Sequence, residues 1–93
     1  MDWKKAKNRT LVAALLALKN AEEAESFLRD LLTPKEIEEF SKRLEAAHML
    51  SESVPYSAIE KKTGLSSTTV ARVAHWLRHG MGGYGLVLKR LKH

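Results

Sequence analysis

The sequence contains no cysteine, which excludes disulfide bridges, cysteine-ligated zinc sites and thiol nucleophiles. It also lacks a long apolar run, because the longest, residues 11–18, is far shorter than the roughly 20 residues of a membrane-spanning helix. Lys4 and Lys5 are not followed by the apolar segment and small-residue cleavage site of a signal peptide. We therefore expect a cytoplasmic protein with no contact to a membrane.

The last third of the chain has no acidic residue. Residues 61–93 contain seven Lys or Arg and no Asp or Glu, whereas residues 21–60 contain ten acidic and four basic residues. Residues 1–20 contain five basic residues and one acidic residue, and the net charge of the chain is +5. A protein surface that carries only positive charges attracts polyanions, of which DNA is the usual one. The alternative is a solvated basic face without a partner.

Apolar residues recur at spacings of three and four, as in amphipathic helices, and no alternating strand pattern or repeat is present. We predict an all-α fold with about six helices and short connections. The predicted helices cover residues 4–19, a segment capped by Asn20 and Glu23, a segment from Thr33 and Pro34 to about Leu50, residues 56–63, a segment from Ser66 to about His79, and a short last helix containing Tyr84, Val87, Leu88 and Leu91.

Residues 56–73 have the layout of a helix-turn-helix motif. A short helix ends at Gly64, Leu65 is apolar, and Ser66 caps a second helix. In such motifs the second helix enters the major groove with its N-terminus first. Small hydroxyl residues there can approach bases and phosphates, and Arg72 can reach guanine or phosphate. The predicted DNA-binding residues are Tyr56, Lys61, Lys62, Ser66, Ser67, Thr68, Thr69, Ala71, Arg72 and Arg78. The alternative is a helical hairpin with a glycine corner and no DNA partner.

Two stretches of the chain resemble the tryptophan repressor family, and within it the repressor-like branch known as YerC/YecD. The first is Leu32-Thr33-Pro34-Lys35-Glu36 followed by Arg43, and the second runs from Gly64 to Arg72. The resemblance covers about residues 31–91 and implies an intertwined homodimer that binds double-stranded DNA. On this basis residues 1–93 form one domain, with dimerisation helices in residues 1–50, a helix-turn-helix in residues 56–79 and a C-terminal helix in residues 81–93.

The resemblance also implies an effector pocket, because two arginines hold the co-repressor in the tryptophan-sensing branch. Arg43 and Arg72 fall at the matching positions, with Thr33 at a third. Val73 and Trp76 stand where the sensing pocket has small residues. Our hypothesis is that Trp76 partly fills the co-repressor space, so that DNA binding needs no tryptophan. Trp76 is four residues from Arg72, a spacing that permits a cation–π contact, but packing against another helix explains it equally well.

The sequence therefore predicts a sequence-specific transcriptional regulator, with repression as the expected outcome and no cofactor. The alternatives are a ligand-gated repressor, which senses tryptophan or another small amphiphile, and a protein-interaction module on the same fold. No arrangement of nucleophile, base and orienting group indicates an enzyme. His75 and His79 are four residues apart, but no further ligand completes a metal site, and we predict none.

Overall fold

The computed structural model describes residues 1–91, which form six α-helices and no strand. The helices are α1 (Ala6–Ala17), α2 (Ala21–Leu31), α3 (Pro34–Ser51), α4 (Tyr56–Thr63), α5 (Ser67–His79) and α6 (Gly83–Leu91). The all-α prediction is confirmed, and α4 and α5 have the predicted limits. Of the predicted C-terminal segment 81–93, residues 92 and 93 lie outside the described residues.

The starts of α2 and α3 are fixed by side-chain caps, as the sequence predicts. The side chain of Asn20 accepts a 2.9 Å hydrogen bond from the backbone N–H of Glu23. The Glu23 carboxylate in turn accepts from the N–H of Lys19, one residue before the expected partner. At α3 the capping box is reciprocal: the Thr33 hydroxyl accepts from the N–H of Glu36, whose carboxylate accepts from the N–H of Thr33.

The cap of α3 also changes the acidity of Glu36. The backbone N–H of Thr33, followed by its side chain, lowers the pKa of the Glu36 carboxyl because both hydrogen bonds favour the ionised form. The resulting stabilisation is complete above the ordinary pKa of a glutamate, and it is lost as the pH falls through the lowered value.

The described part of the chain divides into two compact units, Met1–Ile37 and a second unit that begins at Glu38. In the first unit neither α1 nor α2 has a buried residue. Leu15 is 50% exposed and Leu16 is 82% exposed, although α1 is the most apolar stretch of the chain. Such a helix buries too little apolar surface to be stabilised by its own unit.

The second unit contains the hydrophobic core, which is assembled from four helices and the turn between α4 and α5. The buried members are Ala46, Ala47 and Leu50 of α3, Ile59 of α4, Leu65 of the turn, Val70, Val73 and Ala74 of α5, and Leu88 of α6. Tyr84 packs against this core and connects α6 to it. Helix α4 packs directly against α5, and α6 packs against α5, so this shared core holds α4 and α5 in a fixed relative arrangement.

Candidate nucleic-acid interface

Helices α4 and α5 are joined by a turn of three residues, Gly64–Ser66, whose geometry is set by Gly64. Gly64 has a φ of 77°, in the left-handed region that glycine adopts without strain, and its N–H donates to the carbonyl of Glu60. Leu65 then turns inward and is only 6% exposed. Gly64, which ends the first helix of the predicted motif, and the apolar Leu65 after it thus form the turn.

A buried hydroxyl group fixes the same turn from inside. The Thr63 hydroxyl donates to the carbonyl of Ile59 at 2.7 Å and accepts the N–H of Leu65 at 3.2 Å. This role of Thr63 was not predicted from the sequence. A threonine placed directly before a C-terminal glycine is the available signal, because threonine side chains often bond to the carbonyl four residues earlier.

The start of α5 is capped by a pair of hydroxyl groups. The Ser66 side chain accepts the N–H of Thr69 at 3.1 Å, and its hydroxyl lies 3.0 Å from that of Thr69. These two hydroxyls therefore hold the helix start. The neighbouring hydroxyls of Ser67 and Thr68 form no hydrogen bond within residues 1–91 and are free to meet a ligand.

Helix α5 has one buried and one exposed face. Val70, Val73 and Ala74 are buried in the core. The predicted DNA-binding residues are exposed, apart from the half-buried Thr69: Tyr56, Lys61, Lys62, Ser66, Ser67, Thr68, Ala71, Arg72 and Arg78. The basic side chains among them have no ion pair within the described residues. A free cationic and hydroxyl-bearing surface suits contacts to phosphates and base edges.

Two of these residues contact each other across the two helices. Arg78, in the last turn of α5, donates a 3.1 Å hydrogen bond to the hydroxyl oxygen of Tyr56, the first residue of α4. Both are predicted DNA-binding residues, but their bond was not predictable from the sequence because they are 22 positions apart.

Three of the four residues of the predicted effector pocket, Thr33, Arg43 and Trp76, have contacts outside it. Thr33 belongs to the first unit and its hydroxyl caps α3. In the second unit, Arg43 lies 4.0 Å from the Glu39 carboxylate and 5.6 Å above the ring centroid of Phe40. Within residues 1–91, Arg72 and Trp76 share no cation–π contact, although their spacing permits one.

The indole of Trp76 has a different environment. Its Cε3 atom lies against Gly80, and it lines an open apolar depression of about 490 Å³ with Leu44, Tyr84 and Val87. The edge of the His75 ring meets the indole, with the centroids 5.4 Å apart. Contact with apolar neighbours explains why the indole turns here rather than towards the guanidinium of Arg72.

The histidines of α5 do not form a metal centre with a third ligand. His75 and His79 have ring centroids 5.4 Å apart. No group of three or more potential metal ligands occurs within residues 1–91.

None of the six helices of residues 1–91 has the length and apolar character of a membrane-spanning segment.

Comparison with known proteins places this arrangement in a family. The model of the family described as Trp repressor protein matches residues 6–92. The chain belongs to the Trp repressor family. Members of this family are DNA-binding regulators of transcription and not enzymes, so the predicted absence of catalysis agrees with the family.

Relatives within the Trp repressor family extend along nearly the whole chain. The uncharacterized protein YerC of Bacillus subtilis (strain 168) is 42% identical over 82 residues, which are 88% of this chain and 79% of YerC. A TrpR-like protein from Eubacterium eligens ATCC 27750 has a TM-score of 0.91 and 40% identity, with 97% of this chain and 93% of that protein covered. A candidate Trp repressor from Staphylococcus aureus has a TM-score of 0.90 and 35% identity, with 99% and 95% covered. The resemblance stated from the motifs is confirmed.

Proposed function

We propose that this protein is a cytoplasmic homodimeric repressor that binds a specific double-stranded DNA sequence and needs no tryptophan to do so. The observation that carries the proposal is the exposed face of α5, where Ser67, Thr68 and Arg72 have no partner within the described residues. Base contacts come from Ser67, Thr68, Ala71 and Arg72. Phosphate contacts come from Lys61, Lys62, Tyr56 and Arg78.

The exposed apolar side chains of the first unit support a homodimer. Leu11, Val12, Leu15 and Leu16 are between 41% and 82% exposed. Complete burial of a fully exposed side chain of this kind contributes about 1.5–3 kcal/mol, and these four can each gain the part of it that matches their remaining exposure, so this surface favours association. A second copy of this chain is the proposed occupant, in keeping with the intertwined dimer that family membership implies.

Two copies of α5 in one dimer predict a palindromic binding site. Helix-turn-helix dimers, of which the Trp repressor is a well-known example, read half-sites about one helical turn, ~34 Å, apart. We therefore expect the selected DNA to contain two inverted half-sites with this spacing.

The second candidate function is a repressor that is gated by a small amphiphile. The observation in its favour is the open apolar depression beside Trp76, which lies on the same helix as the free guanidinium of Arg72. This candidate predicts weak DNA binding until the ligand is added, whereas our first proposal predicts binding without one.

The first test is titration of fluorescent duplexes with the protein, after selection of the preferred site from random DNA. Affinity is measured at two salt concentrations, with and without tryptophan. We expect tight binding without tryptophan that weakens steeply with salt, by a log–log slope of about 0.9 per phosphate contact. Binding only with tryptophan would establish the gated repressor instead, and no binding in any condition would favour the protein-interaction module.

Three alanine variants separate base reading from phosphate contacts. Arg72→Ala should relax specificity at one base position, with a loss of about 1–3 kcal/mol on the selected site. Lys62→Ala should weaken binding to all duplexes alike and reduce the salt slope. Lys42→Ala, which removes the same charge from an exposed position of α3, serves as the control and should leave binding unchanged.

A further inference from the structure

The bond between Tyr56 and Arg78 joins the two ends of the α4–α5 pair at the protein surface. Nη1 of Arg78 donates to Oη of Tyr56 at 3.1 Å. Tyr56 is 39% exposed, and Arg78 is also exposed and has no ion pair within residues 1–91. A ligand that binds to this part of the surface can therefore contact both polar groups at once.

The direction of this hydrogen bond leaves both groups able to donate further. A tyrosine hydroxyl that accepts from a guanidinium keeps its own proton for another acceptor, and a guanidinium has five N–H donors, of which this bond uses one. A ligand that accepts hydrogen bonds from both groups must have several acceptor oxygen atoms and a negative charge. A phosphate diester of the DNA backbone meets both requirements.

The exposed bond contributes little to the stability of the free protein, because water competes for both groups. Its effect changes when DNA covers the surface, since a hydrogen bond strengthens as water is excluded. The bond also restricts the long Arg78 side chain before binding, which reduces the rotamer entropy lost on association. The geometry thus favours a role in binding over a role in folding.

We propose that Tyr56 and Arg78 form one phosphate clamp, in which Tyr56 is the positioning residue that holds the Arg78 guanidinium towards a DNA phosphate and itself donates to that phosphate. The clamp spans the first residue of α4 and the last turn of α5, so it is complete only when the two helices have their native arrangement. The proposal rests on the DNA binding proposed above and assigns a joint role to two residues of that surface.

A double-mutant cycle tests the clamp. Affinity for the selected duplex is measured for Tyr56→Phe, Arg78→Ala and the double variant. We expect Tyr56→Phe to weaken binding about tenfold in the wild-type background, the loss typical of a charge-assisted hydrogen bond. When Arg78 is already alanine the loss should be clearly smaller, about threefold, because only the direct bond from Tyr56 to the phosphate is then removed. Lys42→Ala, the control variant on α3, lies outside both the DNA-binding face and the depression beside Trp76 and should bind as the wild type does.

Two further measurements separate positioning from a structural role. The thermal midpoint of Tyr56→Phe should stay close to that of the wild type, because only the affinity depends on the clamp. Arg78→Ala should reduce the salt slope by about 0.9 for each phosphate that the variant no longer neutralises. Arg78→Lys, which keeps the charge without the planar fork, should retain most of that slope but lose affinity.

The outcomes distinguish the clamp from the function on which it rests. Equal affinity of Tyr56→Phe and wild type, or additive losses in the double variant, would overturn the clamp while DNA binding itself stands. A lowered thermal midpoint with unchanged affinity would assign the bond to folding. Failure of the wild-type protein to bind any duplex would overturn the proposed function and the clamp together.

Discussion

The hydroxyl group of Thr63 lies 2.7 Å from the carbonyl oxygen of Ile59, to which it donates a hydrogen bond inside the core. Both residues are buried, and the same hydroxyl accepts the N–H of Leu65 in the turn. A single side chain thus completes the end of α4 and satisfies the first buried backbone donor after Gly64. The arrangement of the two helices depends on it, because water cannot replace either bond at a buried position.

We expect Thr63→Val to destabilise the protein by about 1–3 kcal/mol, because the isosteric valine leaves the N–H of Leu65 without a partner. Thr63→Ser keeps the hydroxyl and should cost less. Urea unfolding of the two variants and the wild type measures the difference. Equal stability of Thr63→Val and the wild type would show that the turn does not need this hydroxyl.

The secondary structure of this chain was largely predictable because its signals are local. The limits of α4 and α5 follow from Gly64 and the cap at Ser66, and the start of α3 follows from the spacing of Thr33 and Glu36. These signals act within three or four residues, so a single sequence contains them in full.

The contacts within the candidate site were not predictable in the same way. The bond from Arg78 to Tyr56 and the position of the Trp76 indole depend on how α3, α4, α5 and α6 pack. Spacing alone suggested Arg72 as a partner of Trp76, but packing against apolar side chains determined the side-chain direction instead. Family membership supplied the function class, which composition and charge had only indicated.

Gly80 is required by the close approach of the Trp76 backbone. A Cβ atom at Gly80 would collide with the carbonyl oxygen of Trp76, to which the N–H of Gly80 donates, and would crowd the indole ring. We expect Gly80→Ala to destabilise the protein by about 1–3 kcal/mol, since backbone must shift to admit the methyl group.

Gly85 provides the matched control for Gly80. A Cβ atom there meets nothing within 4 Å, and Gly85 lies inside α6. Gly85→Ala should therefore stabilise the protein by about 0.5–1 kcal/mol through the higher helix propensity of alanine. Thermal unfolding of both variants tests the pair, and the same sign of change in both would refute the steric explanation.

The exposed leucines of α1 predict that stability depends on protein concentration. If a second copy covers them, the thermal midpoint of the wild type should rise with concentration, as for any folded dimer. Leu16→Glu should weaken association, because it places a charge at a side chain that is 82% exposed in one copy. Lys7→Glu, at an exposed polar position of the same helix, should not. Sedimentation that shows a wild-type monomer across the concentration range would contradict the dimer.

The environment of Trp76 predicts a chemical rescue. Our hypothesis is that the indole of Trp76 takes the place of a bound co-repressor. Trp76→Ala should then weaken DNA binding, because it widens the depression beside Leu44, Tyr84 and Val87. Free indole should partly restore the affinity of this variant, because it can bind to the apolar side chains that the substitution uncovers in the depression. The wild type should not respond to indole.

Trp3→Ala, which removes the other tryptophan, is the control and should bind DNA normally with or without indole. Fluorescence anisotropy measures the affinity of each protein for the selected duplex at several indole concentrations. It shows whether indole restores DNA binding by Trp76→Ala alone. Normal binding by Trp76→Ala without indole would show that the side chain only packs against its neighbours and substitutes for no ligand.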